Sequence, residues 1–300
     1  MDKIHFMYCP FTGLGLHNGF RGNRWLENRI RVFKQFVVSS LVRQTKREFI
    51  LWISWRPEER DNKIVQEFEK SLNGIEGLTT IFTYGGLCFW DDKYEDATAS
   101  AKLWHSLRTT LPELSSYVGN ADRVYMTIQP SDDMYFNGAV EEIQKHTEPG
   151  AVGWKEGYLI NYATKEIAEY NPDTTPPFFT IVFQRETFLD PQKHYAFTGP
   201  YKSHEYIGDH MKYTPLTHRR FVVGTHGENI STTFNHPYKG RVLLGQEAED
   251  VLIRTGTLFA DPVVIRQGMK LFARKVLNVL PFQDTIRNYY HKLPSVLKVF

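Results

Sequence analysis

Apolar runs of strand length alternate with amphipathic stretches of helical period through the first 150 residues. Ile4 to Phe11 reads as a first strand, followed by a glycine-rich loop from Thr12 to Gly22. From Arg24 to Gln44, Trp25, Ile30, Phe33, Val37 and Leu41 fall on or near one helical face. Phe49 to Trp55 predicts a strand, Asp61 to Leu72 a helix and Thr79 to Tyr84 another strand. A loop, Gly85 to Glu95, leads to a helix from about Ala97 to Thr110. The β-branched and aromatic run Val124 to Ile128 is a buried strand, closed by Pro130 and Ser131. A short helix, Asn137 to His146, ends this half. The β-α-β-α order predicts an α/β fold, a mostly parallel sheet with helices on both faces. After Gly150 the rhythm changes, with Val152–Tyr162, Phe178–Gln184 and Phe221–Thr225 as strands joined by longer loops. The expected division is residues 1–150, 151–258 and a helical extension over 259–300.

Composition agrees with a globular chain: 41% of the 300 residues are hydrophobic and 14% aromatic, too apolar for disorder. No apolar run is long enough to span a bilayer, and Met1-Asp-Lys-Ile-His lacks a signal-peptide core. The reading is therefore cytoplasmic. Cys9 and Cys88 match no zinc spacing and are expected to be packing residues.

Candidate chemistry begins at Asp132 and Asp133, where a strand meets a loop. Ligands of open α/β sheets bind at that carboxyl edge. Two unpaired carboxylates in a dry site are costly, so they must be solvated or hold a cation. Oxygen ligands suit Mg²⁺ or Mn²⁺. An ordinary turn capping the next helix is the competing reading. A second apolar strand, Phe221 to Thr225, ends on His226, a nitrogen donor that would complete a mixed site. Alone, His226 reads equally as a hydrogen-bonded surface residue. The segment from Ser203 to Met211 looks like a helix start carrying Glu205 and Asp209. Either acid could serve as a general base for an acceptor hydroxyl, or simply favour the helix N-terminus. The loop Gly13-Leu-Gly15-Leu-His-Asn-Gly19 is neither G-x-G-x-x-G nor a Walker loop.

These residues carry a resemblance. Trp25-Leu-Glu-Asn-Arg29-Ile-Arg-Val-Phe33, Ser39-Ser-Leu41-Val-Arg-Gln44-Thr and Phe49-Ile-Leu-Trp-Ile resemble the opening of a rhamnosyltransferase family of GT-A glycosyltransferases. Ser131-Asp132-Asp133 is similar to that family's D-x-D-D motif, and His226-Gly-Glu-Asn229-Ile-Ser to its late H-G-x-N-[IV]-S segment. The family's first Asp falls at Pro130 here. The similarity covers roughly residues 4 to 258 and implies a GT-A, Rossmann-like fold. It also implies metal-dependent, inverting transfer of a sugar from a nucleotide-sugar donor to a hydroxyl of a glycan or lipid-linked acceptor. Asp133 is then the direct metal ligand, with Asp132 and His226 beside it, and Mn²⁺ or Mg²⁺ as cofactor. Glu205 is the base and Asp209 its alternative. Arg21 and Lys102 are candidates for the diphosphate, Asn229 for the substrate, and Phe11, Trp90 and Trp154 for stacking on a sugar or base. A non-catalytic GT-A-like scaffold and a sugar nucleotidyltransferase stay open.

Charge separates the tail from the body. Residues 261–300 hold seven Lys/Arg against two Asp, so the tail is +5 and the preceding 260 residues −3 within a net +2. Apolar residues recur at near-helical spacing from Pro262 to Leu280, and Pro281 should end that helix. Either the stripe packs on the body, or residues 262–298 contact an anionic membrane. No nucleic-acid motif accompanies the charge.

Overall fold

The computed structural model describes residues 2–12, 14–15, 23–85, 87–88, 99–193, 204–226, 229 and 232–257. Arg21, Trp90, Ser203 and the whole tail beyond residue 257 lie outside the described residues, as does most of the glycine loop.

The first strands are β1 (Lys3–Cys9), β2 (Leu14–Gly15), β3 (Ile50–Ser54), β4 (Thr79–Thr83), β5 (Leu87–Cys88), β6 (Arg123–Ile128) and β7 (Met134–Tyr135). There follow β8 (Gly150–Trp154), β9 (Gly157–Asn161), β10 (Ile167–Tyr170), β11 (Phe179–Gln184), β12 (Tyr213–Leu216), β13 (Phe221–Thr225) and β14 (Lys239–Leu243). A seven-stranded sheet runs β12-β8-β11-β6-β1-β3-β4. Its neighbours are parallel except at β11, which is antiparallel to both β6 and β8. Strands from beyond residue 150 thus complete the sheet that the first half begins.

Both faces of this sheet are covered. Met7 and Cys9 of β1, with Leu51 and Ile53 of β3, pack on the helical side chains Leu26, Phe33, Val65 and Phe68. Phe6, Tyr8 and Trp52 point the other way, onto Leu111, Leu114 and Val118. The alternation is the period of two expected of a pleated strand. The fold is therefore mixed α/β, and this first sheet is mostly parallel with helices on both faces.

Three elements depart from the sequence reading. The helix expected to stop near Thr110 runs Ala99–Val118, through Pro112. Proline removes one backbone bond, but Leu111, Leu114 and Val118 are buried beyond it and hold the last turns on the sheet. The segment Val152–Tyr162 divides into β8 and β9, which join different sheets. The helix over Arg24–Gln44 is helical from Asn23 to Val42 but contains a π-helical stretch, Phe33–Val38. Ser39 Oγ and Ser40 Oγ donate to the carbonyls of Gln35 and Val37 at 2.7 and 2.8 Å where this wider turn closes.

A second sheet, β14-β10-β9-β13-β7, stands beside the first. β6, which leads to the acid pair, and β13, which ends at His226, belong to different sheets. The acid pair lies on the short connection from β6 of the first sheet to β7 of the second. β7 pairs with β13, so the chain's crossing brings Asp132 and Asp133 beside the strand that ends at His226.

Candidate functional site

Asp132 is the centre of the site. Its Oδ2 receives the Arg29 guanidinium at 2.5 Å, His226 Nε2 at 2.9 Å and the Asn229 amide at 3.1 Å. Arg29 comes from the first helix, 5% exposed, with its guanidinium 5.6 Å from the Trp25 ring centroid. Asn229 closes the corner. Its Oδ1 accepts from His226 N at 2.8 Å, and its Nδ2 also reaches Gly224 O at 2.6 Å. Asn229 is thus engaged by the protein and holds His226 in place, rather than presenting a free amide to a substrate.

Asp133 turns elsewhere. Its Oδ1 accepts the Gly224 backbone N–H at 2.8 Å, and its carbonyl receives the Gln129 amide at 2.9 Å. The acid that meets His226 is therefore Asp132. The residue implied as the direct metal ligand instead ties the acid loop to β13.

The two neighbours differ in charge for physical reasons. Burial works against the Asp132 carboxylate, yet Arg29 and His226 hold it below the ordinary carboxylate range. Burial, and then the charge of Asp132, push Asp133 well above that range. The two acids are thus driven in opposite directions, one towards its charged form beside a resident cation and the other away from it. This split lowers the cost of placing two carboxylates in a dry site. Nearby, burial and then Asp132 raise the Cys9 thiol, so it stays a neutral packing group.

The donor chemistry fits a small divalent cation at Asp132 and His226: one ionised carboxylate oxygen and one imidazole nitrogen, 2.9 Å apart. That separation suits two adjacent ligands of an ion such as Mg²⁺ or Mn²⁺, which keep waters and take phosphate oxygens. Among the described residues no group of three or more His, Cys, Asp or Glu assembles, so these residues offer two ligands. Arg29 bonds the same oxygen and supplies one positive charge of its own.

Glu205 lies exposed on a short turn, His204–Tyr206, fixed by His204 Nδ1 against Thr175 O at 2.6 Å. The Tyr170 phenol is pushed up to about 12, first by burial and then by Asp133, Tyr238, Asp173 and Glu205 acting together. Asp209 sits exposed on the following helix, Ile207–His210, and makes no hydrogen bond or ion pair among the described residues.

The expected stacking residues are core residues. Phe11 is 5% exposed and packs among Phe33, Trp55 and Phe68 with centroid distances of 4.7–5.6 Å. Trp154 is fully buried, with Tyr135 at 5.8 Å. Neither ring has a face open to a ligand. Lys102 lies on the helix Ala99–Val118, its side chain outside the described part.

Sequence reasoning missed two groups. Arg29 was quoted only as part of a helical motif, and spacing alone gives no sign that it reaches residue 132. The other is Glu59, 2% exposed, which accepts from Thr12 Oγ1 and from Arg56 Nη2 at 3.3 Å beyond the ends of β1 and β3. Burial raises its carboxyl, and Thr12 and Arg56 draw it back.

No family model matches the chain, and neither does any curated protein. Among solved structures it is similar to Staphylococcus aureus TarS residues 1–349, at 10% identity and TM-score 0.38. That match covers 75% of this chain but only 60% of the TarS chain. HddC from Yersinia pseudotuberculosis is similar at 9% identity over 73% of this chain and 92% of that one, TM-score 0.36. The inositol-1-phosphate CTP transferase from T. maritima gives 11% identity over 85% and 95%, TM-score 0.32. At these values the site assignments rest on the geometry described above.

Proposed function

We propose that this chain is a glycosyltransferase that moves a sugar from a nucleotide-sugar donor to a hydroxyl of a glycan or lipid-linked acceptor. The observation that carries the reading is the convergence of Arg29, Asp132, His226 and Asn229 on one carboxylate oxygen. These residues come from three separate stretches and gather beyond the carboxyl ends of β6 and β13. They are also the positions that carried the resemblance to GT-A rhamnosyltransferases, so the motif and the geometry support the same place.

The chemistry asked of such a site is modest. A departing nucleoside diphosphate develops negative charge, and fixed positive groups aimed at it lower the barrier. Arg29 is such a group, held by Asp132 and excluded from bulk water. Asp132 and His226 would hold Mn²⁺ or Mg²⁺, which when bound supplies Lewis-acid stabilisation of the leaving phosphate. Glu205, solvent-exposed, is the proposed base that takes the proton from the acceptor hydroxyl. Attack from the face opposite the departing diphosphate is a single displacement, with inversion at the anomeric carbon. Rhamnose is the donor sugar that the resemblance suggests first.

A thermal-shift screen of nucleotide sugars with and without Mn²⁺ tests the reading. A ligand that binds only the native state at a hundred times its Kd stabilises it by about 2.7 kcal/mol, a readily measured rise in Tm. At least one nucleotide sugar should give that rise, and Asp132→Asn should remove it. No response to any nucleotide sugar, with the protein folded, rejects the proposal.

A further inference from the structure

The chemistry above leaves one feature of the site unexplained: what fixes the plane of the His226 imidazole. A ligating or catalytic histidine ordinarily donates its second ring nitrogen to a carbonyl or carboxylate, which sets the ring's rotation. Here Nε2 faces Asp132, while Nδ1 is buried with no hydrogen-bond partner among the described residues. Among the described residues the ring has one hydrogen bond, through Nε2, and its further hold is by stacking.

Three rings are parallel at this point. Phe36 lies face to face with Tyr162, centroids 3.7 Å apart and planes within 2°. The Tyr162 ring is parallel to the His226 imidazole to within 9°, centroids 6.2 Å apart, an offset stack within the usual range for aromatic pairs. Phe36, Tyr162 and His226 are 0%, 3% and 2% exposed, so water does not compete for their faces. Tyr162 has a second hold on the site, because its hydroxyl donates to the Asp132 main-chain oxygen at 2.7 Å. One side chain therefore bears on both members of the Asp132–His226 pair, through its ring and through its hydroxyl.

Local structure explains how this arrangement arises. Tyr162 follows β9, and its backbone N–H bonds Thr225 O at 3.0 Å, which places it one step from His226 on the neighbouring strand. Phe36 sits inside the π-helical stretch Phe33–Val38. Such stretches re-aim side chains relative to the α-helix before them and recur at functional sites. Arg29 precedes this stretch and Phe36 lies within it, so one helix delivers both the cation on Asp132 and the ring stacked on Tyr162. Space beside them is closed. A Cβ at Gly224 would lie 2.3 Å from both the Tyr162 hydroxyl and the Asp132 carbonyl.

We propose that Tyr162, backed by Phe36, is a positioning residue that fixes the His226 imidazole by stacking and the Asp132 backbone by hydrogen bonding. The proposal rests on the Asp132–His226 pair being the working centre of the transferase described above. Tyr162 itself touches no reacting atom. Its effect reaches the reaction only through the placement of the pair, and a misplacement of about 1 Å can lower turnover by about a hundredfold.

The test uses two readouts on the full chain. The first is histidine side-chain NMR, with the His226 ring resonance assigned by its disappearance in His226→Gln. Ring current from Tyr162 should displace that resonance upfield in the wild type. Tyr162→Phe should keep the displacement, whereas Tyr162→Leu should abolish it. The second readout is kinetic. Tyr162→Phe should lower kcat about tenfold or more while KM for the donor stays within about threefold, because the ring remains but the hold on Asp132 is lost. If Tyr162→Leu does not fold, Phe36→Leu loosens the Tyr162 ring and should broaden and shift the same resonance. A His226 resonance unmoved by Tyr162→Leu or Phe36→Leu overturns the proposal. So does a Tyr162→Phe protein with wild-type kcat, or one whose kcat and KM worsen only in step with lost stability. A wild type that transfers no sugar while its NMR signals behave as expected rejects the transferase reading and leaves the positioning role standing.

Discussion

Replacing Arg29 with methionine asks the sharpest question of the site. The substitution keeps an unbranched apolar stem in place and removes the cation from Asp132 Oδ2, 2.5 Å away. Both side chains are shielded, at 5% and 14% exposure, so solvent screening is slight. Removing one member of a buried ion pair costs about 3–5 kcal/mol, chiefly because the other charge is left uncompensated. His226 and Asn229 still donate to Asp132 in the variant, which places the expected loss near the lower end, about 3 kcal/mol. At about 2–4 °C per kcal/mol for domains of a couple of hundred residues, Tm should fall by some 6–12 °C. The pH dependence gives a second handle. In the folded wild type the Asp132 carboxyl is held below its ordinary value, against burial and by Arg29 and His226. The pair's stabilisation is therefore present in full above the unfolded carboxyl's value of about 4. It is lost as pH falls through the lower, folded value. The gap between wild type and Arg29→Met should be widest from about pH 5 upward and should shrink on acidification. Urea unfolding at a series of pH values, with unchanged m-values, measures it. Adding Asp132→Asn should recover part of the loss, because the stranded charge is gone. A loss below about 1 kcal/mol at pH 7, the level of an exposed pair, would refute the view that Arg29 is the resident cation of this site.

Other outcomes follow from the same geometry. Glu205→Gln should lower turnover by about 10²–10⁴-fold with donor affinity nearly unchanged, as steady-state kinetics would show. The same loss in Asp209→Asn, with Glu205→Gln active, would reassign the base. Gly224→Ala puts a methyl where Asp132 O and Tyr162 Oη leave only 2.3 Å, and overpacking of this kind costs about 1–3 kcal/mol. Calorimetry should show that loss together with loss of donor binding. The basic tail should carry the full chain down with anionic vesicles at low salt, at about 1 kcal/mol per Lys or Arg near the surface. A chain ending at Ala260 should stay in solution, and equal, negligible binding by both would leave the tail without a membrane role.

The sequence reveals the first sheet clearly because its strands are buried on both faces. Phe6 and Met7, like Leu51 and Trp52, both find cover, so β1 and β3 appear as continuous apolar runs that are easily read. The acid pair was equally visible, since two carboxylates after a buried strand demand an explanation. What the pattern could not show was which charge answers them. Arg29 lies on a mostly buried helical face, where an arginine reads as a surface residue that happens to adjoin Trp25. Its meaning depends on β7 pairing with β13, where Tyr135 faces Phe221 and Met134 faces Val222, far apart in the chain. No local period encodes that.

The same logic explains the misplaced aromatics. A large ring at a strand end is equally compatible with a ligand face and with a core, and Phe11 and Trp154 proved to be core. The ring that does bear on the site, Tyr162, stands after β9 with no motif around it. It acquires its place from Gly224, whose missing side chain lets the β13 backbone approach within bonding distance of the acid loop. That close approach also puts the Gly224 N–H on Asp133, which keeps the second acid away from His226 and leaves Asp132 to face it alone. A single glycine between Val223 and Thr225 thus decides which of two adjacent aspartates faces His226. It reads in the sequence as nothing more than a pause in a strand.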